Sequence, residues 1–118
     1  MATIKRFYDL EAWKKARALN KEVYKLTRAE SFKKDFVLVD QTRRASISIM
    51  ANLAEGSAMP TKRHRNKYYR TARGSIVEVD SLLELSLSLH YITEEQANVL
   101  CDHAARLSYL VTRLIDAA

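Results

Sequence analysis

One proline and two glycines are the only strong turn punctuation in 118 residues, and that scarcity limits the possible folds more than any other feature. A many-stranded sheet needs frequent turns, and Gly and Pro supply most of the required geometry. A chain nearly without them reads as a few long helices joined by short links. Apolar content of 47% with 29% charged residues fits a globular protein and argues against disorder. A chain of this length forms one domain, residues 1–118, and buries about 65% of its extended surface, enough for one core.

The stretch organising the chain is 35–56, DFVLVDQTRRASISIMANLAEG. Leu38, Ala45, Ile49, Asn52 and Gly56 recur at helical spacing, so one stripe faces inward. Gln41 lies on or beside that stripe, where a polar group must be hydrogen-bonded. The expected helix begins at Asp35 or Phe36 and stops at Gly56, a C-terminal mark.

Before it, residues 1–8 form a short arm whose Phe7 and Tyr8 pack on the body or dock on a neighbouring chain. Asp9 is placed to cap a helix over about 10–29, with Leu10, Trp13, Ala16, Asn20, Val23 and Thr27 inward. Trp13 reads as a core or interface anchor. Residues 30–34 link to the central helix, with Phe32 closing the bundle end. After residues 57–60, a long helix over 61–91 starts basic and turns apolar. Its inward face carries Tyr68, Ala72, Ser75, Val79, Leu82, Leu83, Ser86 and Leu89. Short strands in SIVEVDS and LELSLSL are rejected, because no turn separates them and the helical stripe continues. Gly74, costly mid-helix, would have a packing reason if helices cross closely at Gly74 and Ser75. Thr93 to Gln96 form a capping box for a last helix over about 94–116. The fold expected is all-α, a single-domain up-down-up-down four-helix bundle.

Charge is divided along the chain. Residues 1–73 hold 18 Lys and Arg against 7 Asp and Glu; residues 74–118 hold 2 against 7. Such polarity steers a nucleic acid to one side, drives protomers together basic side to acidic side, or is simply solvated. The densest basic run is Lys62, Arg63, His64, Arg65, Lys67, Arg70 and Arg73, with Tyr68 and Tyr69 interleaved. Lys62, Arg63, Lys67 and Arg70 line one side of a helix, giving phosphate affinity without sequence specificity.

Arg43 and Arg44 point about 100° apart on a helix. One reaches solvent while the other pairs with a carboxylate, Glu55 or Glu78. Gln41, Arg44, Asn52, Glu55 and Glu78 then form a structural polar network that fixes helix register or a subunit contact.

Other chemistry finds little support. His64, His90 and His103 lack metal-ligand spacing, and the paired Glu-x-x-His motifs of carboxylate-bridged metal bundles are missing. Ser46, Ser48, Ser86 and Ser88 suit close helix packing and form no triad. Cys101, the sole cysteine, reads as a buried thiol; it allows no intrachain disulfide and fits a cytoplasmic setting. No apolar run reaches the roughly 20 residues of a membrane span. No zinc-finger, P-loop or dinucleotide motif is present, so no cofactor is expected.

Three segments carry a resemblance. FYDLEAWKKA (7–16), QTRRASISIMANLAEG (41–56) and ARGSIVEVDSLL (72–83) resemble the bacterial four-helix bundle proteins of the 23S ribosomal RNA intervening-sequence type, over roughly residues 5–115. Gln41, Arg44, Asn52, Glu55, Gly56, Gly74, Ser75 and Glu78 match that family's pattern. Met59 stands where many members carry arginine, and Arg65 where they carry an aromatic. The resemblance implies a compact bundle assembled as a homopentameric ring. Some such genes lie in insertions within ribosomal RNA genes, and a relative partners a reverse transcriptase and binds nucleic acid. The expected function is therefore a non-enzymatic oligomeric bundle binding RNA through its basic surface. The alternative is a homo-oligomeric protein–protein adaptor with no nucleic-acid role.

Overall fold

The computed structural model describes residues 6–117. A short 3-10 turn (Phe7–Asp9) precedes four helices: α1 (Glu11–Thr27), α2 (Phe36–Ser57), α3 (Lys62–Ser88) and α4 (Glu94–Ala117). No strand occurs among the described residues. Each helix packs on its neighbours in chain order and α1 closes back on α4, with the broadest interface between α2 and α3. The result is a four-helix bundle, a rod of 51 × 21 × 20 Å.

The inward stripes meet along the axis. Leu19, Val23, Ile49, Leu53, Val79, Leu83, Leu107 and Val111 are completely buried. Phe32 closes one end, its ring 5.3 Å from that of Tyr91. Ser31 Oγ donates to the Tyr91 carbonyl at 2.8 Å, and the Tyr91 hydroxyl donates to Asp35 Oδ2 at 3.0 Å. Asp35 Oδ1 meanwhile accepts from the Leu38 amide at 3.1 Å. One carboxylate thus caps α2 and ties it to the α3–α4 link.

Most polar groups in the seam are matched; Ser46 Oγ, Asn66 Oδ1 and Asp80 Oδ1 are the buried exceptions among the described residues. Asn20 Nδ2 donates to the carbonyls of Ala16 (3.1 Å) and Ser46 (2.8 Å), joining α1 to α2. Ser75 Oγ donates to Ser48 Oγ at 3.0 Å, joining α2 to α3. The capping box also forms. The Thr93 amide donates to Gln96 Oε1 at 2.9 Å, and the Gln96 amide to Thr93 Oγ1 at 3.1 Å.

Four local expectations are corrected. Asp9 does not cap α1; it falls within the 3-10 turn, and Leu10 holds the cap position without a side-chain bond. Gly56 does not stop α2, which runs to Ser57, and its φ is not positive. The value of Gly56 is steric, because Tyr69 fills the space a side chain would take. Gly74 is exposed and nothing lies within 4 Å of where its Cβ would be, so the close crossing belongs to Ser75 alone. Finally, α3 ends at Ser88, short of 91, because His90 adopts the left-handed conformation at φ 63°. There the His90 amide donates to the Leu87 carbonyl and the Tyr91 amide to the Ser86 carbonyl, both at 3.0 Å. This is the Schellman pattern, with histidine where glycine is usual.

Candidate nucleic-acid interface

The basic run occupies the first three turns of α3. Thr61 caps that helix, its hydroxyl accepting from the His64 amide at 3.2 Å. Lys62, Arg63, His64, Lys67 and Arg70 are all exposed. Arg63, His64, Lys67 and Arg70 line one open surface hollow, as their one-turn spacing requires. Arg65 and Arg73 are half-buried and do other work. Arg65 donates to the Met59 carbonyl at 3.2 Å, holding the α2–α3 link. Arg73 reaches Thr112 Oγ1 on α4 at 3.4 Å. Of the interleaved tyrosines, Tyr69 is buried and its hydroxyl pKa is raised by that burial, while Tyr68 is half-exposed.

The electrostatics of this end are unbalanced. Cations near a helix N-terminus oppose the helix dipole, and the first turn of α3 carries no acidic residue. The ion pairs among the described residues are Lys14–Glu11, Lys33–Glu30 and Arg44–Asp40, and none involves α3. The charge at Lys62, Arg63, Lys67 and Arg70 is therefore unpaired among the described residues.

Arg43 and Arg44 do diverge, with different partners from those expected. Arg44 is exposed and its Nε lies 2.8 Å from Asp40 Oδ2. Arg43 turns toward α1, where Nε donates to Thr27 Oγ1 at 2.9 Å and the guanidinium lies 4.3 Å from the Tyr24 ring centre. Neither meets Glu55 or Glu78. Gln41, Arg44, Glu55 and Glu78 are exposed, and half-buried Asn52 bonds within its own helix to Ser48. No hydrogen bond joins these residues to one another within the chain. The seam polarity they were expected to supply comes from Asn20, Thr27 and Thr42, whose amide and hydroxyls donate to nearby carbonyls, and from Ser75, whose hydroxyl donates to that of Ser48. Asn20 and Thr27 were legible as inward residues in the sequence; their hydrogen-bond partners were not.

Several large apolar side chains are exposed on α2 and α3, Phe36, Val37, Ile47, Val77 and Leu85, with Leu89 just past the end of α3. On the arm, Phe7 packs edge-on against Trp13, ring centres 5.1 Å apart, yet remains 41% exposed.

Cys101 is half-buried, and burial together with neighbouring Asp80 pushes its thiol pKa up, away from nucleophilic reactivity. Among the described residues no group of three His, Cys, Asp or Glu is placed to hold a metal ion, and no helix is long and apolar enough to cross a membrane.

No curated protein matches the chain. A crystal structure from Bacteroides thetaiotaomicron, described as a protein with unknown function from the S23 ribosomal protein family, superposes with a TM-score of 0.81. It is 24% identical, and the match covers 88% of this chain and 97% of that one, so it shows the shared fold. The family model of the 23S rRNA-intervening sequence protein matches residues 8–113. With the match running through all four helices, the chain belongs to the 23S rRNA-intervening sequence protein family.

Proposed function

We propose that this protein is a non-catalytic, self-assembling bundle that binds RNA through the exposed cations at the start of α3. The observation carrying the reading is the charge of Arg63, Lys67 and Arg70 around one hollow, with exposed Lys62 one residue before it, unpaired among the described residues and beside a helix N-terminus that positive charge opposes. A fold tolerates such an arrangement most readily when an anion neutralises it in use. Phosphate needs only charge and N–H donors, so the reading predicts affinity with little sequence preference. Arg65 and Arg73 contribute field rather than contacts, since their guanidiniums are engaged within the bundle.

Self-association is the second part of the reading. Its support is the apolar surface at Val37, Val77 and Leu85 on neighbouring α2 and α3 and at Leu89 just past α3, together with the exposure of Gln41, Glu55, Gly74 and Glu78. The resemblance implies a pentamer, and a ring would repeat the basic hollow around its axis, raising modest affinity through avidity. If the apolar surface serves a different protein instead, the chain is an adaptor.

Titrating the purified protein with structured RNA and a matched DNA, from about 50 to 200 mM salt, tests the reading. Binding that weakens steeply with salt while keeping an RNA preference supports it. Absence of binding at the low-salt end contradicts it and leaves the adaptor.

A further inference from the structure

A second arginine site lies well away from the start of α3, on the edge between α1 and α2. A surface hollow there is lined by Tyr24, Asp40, Arg43, Arg44, Ile47 and Ser48. Arg43 differs from the exposed cations of the α3 run. Its Nε is fixed by Thr27 Oγ1 at 2.9 Å, and Thr27 is fixed in turn by donating to the Val23 carbonyl at 2.8 Å. One face of the guanidinium is covered by the Tyr24 ring at 4.3 Å. No carboxylate of the described residues pairs with it. Asp40, the one acid in the hollow, is already engaged by Arg44 at 2.8 Å. Arg28 adds a third guanidinium nearby, its Nε donating to the Tyr24 carbonyl at 3.2 Å.

We propose that this Tyr24–Arg43 hollow is a second phosphate-contact site, holding the backbone of a single-stranded stretch of the nucleic acid whose binding to α3 is proposed above, on which reading it rests. The planar fork of Arg43 keeps its two terminal amino groups for a bidentate phosphate contact. Because Thr27 and Tyr24 already restrict the side chain, little rotamer freedom is lost when the contact forms. Ile47, 45% exposed, gives the hollow an apolar wall against which a sugar or base packs. A mere strut between α1 and α2 would need the Thr27 bond and the Tyr24 contact, but no surplus of positive charge.

Arg43 lies beyond the part of α2 that packs on the α3 run: Gly56 meets Tyr68 and Tyr69, while Ser48, in the hollow itself, accepts from Ser75 just past Arg73. The two sites therefore follow one another along the rod, and only a strand long enough to span both uses them together.

The test uses the full chain and a labelled oligouridine of about 16 nucleotides, the upper end of common single-strand site sizes, titrated against salt. For Arg43→Gln the expectation is a several-fold weaker affinity and a log–log salt slope shallower by about 0.7, the value for one single-strand phosphate contact. Arg43→Lys should keep the slope and still lose affinity, since it keeps charge without the fork. Ile47→Glu leaves Thr27 and Tyr24 untouched, places a carboxylate on the wall, and should weaken binding even if Arg43→Gln folds poorly. Wild-type affinity and slope in both Arg43→Gln and Ile47→Glu would overturn the second site while leaving the α3 reading intact. No binding by the wild-type protein would overturn both.

Discussion

Tyr69 packs so closely on α2 that a Cβ added to Gly56 would stand 2.7 Å from Tyr69 Cε1 and 3.1 Å from Tyr68 Cβ. The two glycines of the chain therefore have opposite sensitivities. Gly56→Ala forces the buried Tyr69 ring to shift and should cost about 1–3 kcal/mol, as overpacking does. Gly74→Ala meets nothing within 4 Å and should gain up to about 1 kcal/mol of helix propensity. Urea unfolding of both variants beside the wild type checks the pair, and equal effects would contradict the packing described.

The same surface exposure makes Gly74 informative about assembly. Gly74→Arg should leave the monomer folded, since its position faces open space. If protomers meet on the outer flank of α2 and α3, that variant and Val77→Asp should both lower the mass measured by light scattering. A wild-type protein that is monomeric at all concentrations removes the assembly proposal.

The Schellman turn after α3 offers a stabilising change. His90 is held at φ 63°, a region that costs non-glycine residues about 1–2 kcal/mol. Part of that gain is lost to the greater freedom of glycine in the unfolded chain. His90→Gly should therefore raise stability by about 0.5–1 kcal/mol and lift the melting temperature, whereas a loss would mean that the imidazole makes a stabilising contact.

Asp80 gives a pH signature. It lies half-buried between α3 and α4, with Oδ1 lacking a hydrogen-bond partner. Burial raises its pKa above the ordinary 3.8; the Cys101 thiol opposes the shift and Glu84 adds to it. A carboxyl with a raised folded pKa holds its proton better when folded. Its contribution to stability therefore falls as pH rises from the ordinary value through the raised one, and stays reduced above it. Asp80→Asn should melt higher than wild type at about pH 7, with the advantage shrinking towards about pH 3. Melts at several pH values decide it, and a constant difference would assign the effect to packing.

Much of the fold was legible in the sequence because it rests on periodicity. The stripes through Val23, Ile49, Val79 and Leu83 predict the buried core, and Thr93 to Gln96 predict their capping box. Local chemistry was less legible. Gly56 looked like a helix stop because glycine is common there, but its reason is a ring from another helix. The end of α3 depended on a histidine adopting a conformation that its residue type does not advertise. At the candidate interface, sequence grouped six cations, whereas tertiary contacts at Met59 and Thr112 draw Arg65 and Arg73 away from the others. Arg43 was visible as one of an adjacent pair, but its choice of Thr27 and Tyr24 over a carboxylate depends on how α1 lies against α2.

The most direct test of the central claim is a comparison of RNA binding by the wild type and by Lys62→Gln, Arg63→Gln, Lys67→Gln and Arg70→Gln combined, at equal salt. These side chains are exposed and make no ion pair among the described residues, so the variant should keep the helical content and cooperative melting of the wild type. The account predicts at least a tenfold loss of affinity and a salt slope shallower by about 0.7 for each phosphate contact removed. Unchanged affinity in a folded variant would contradict it.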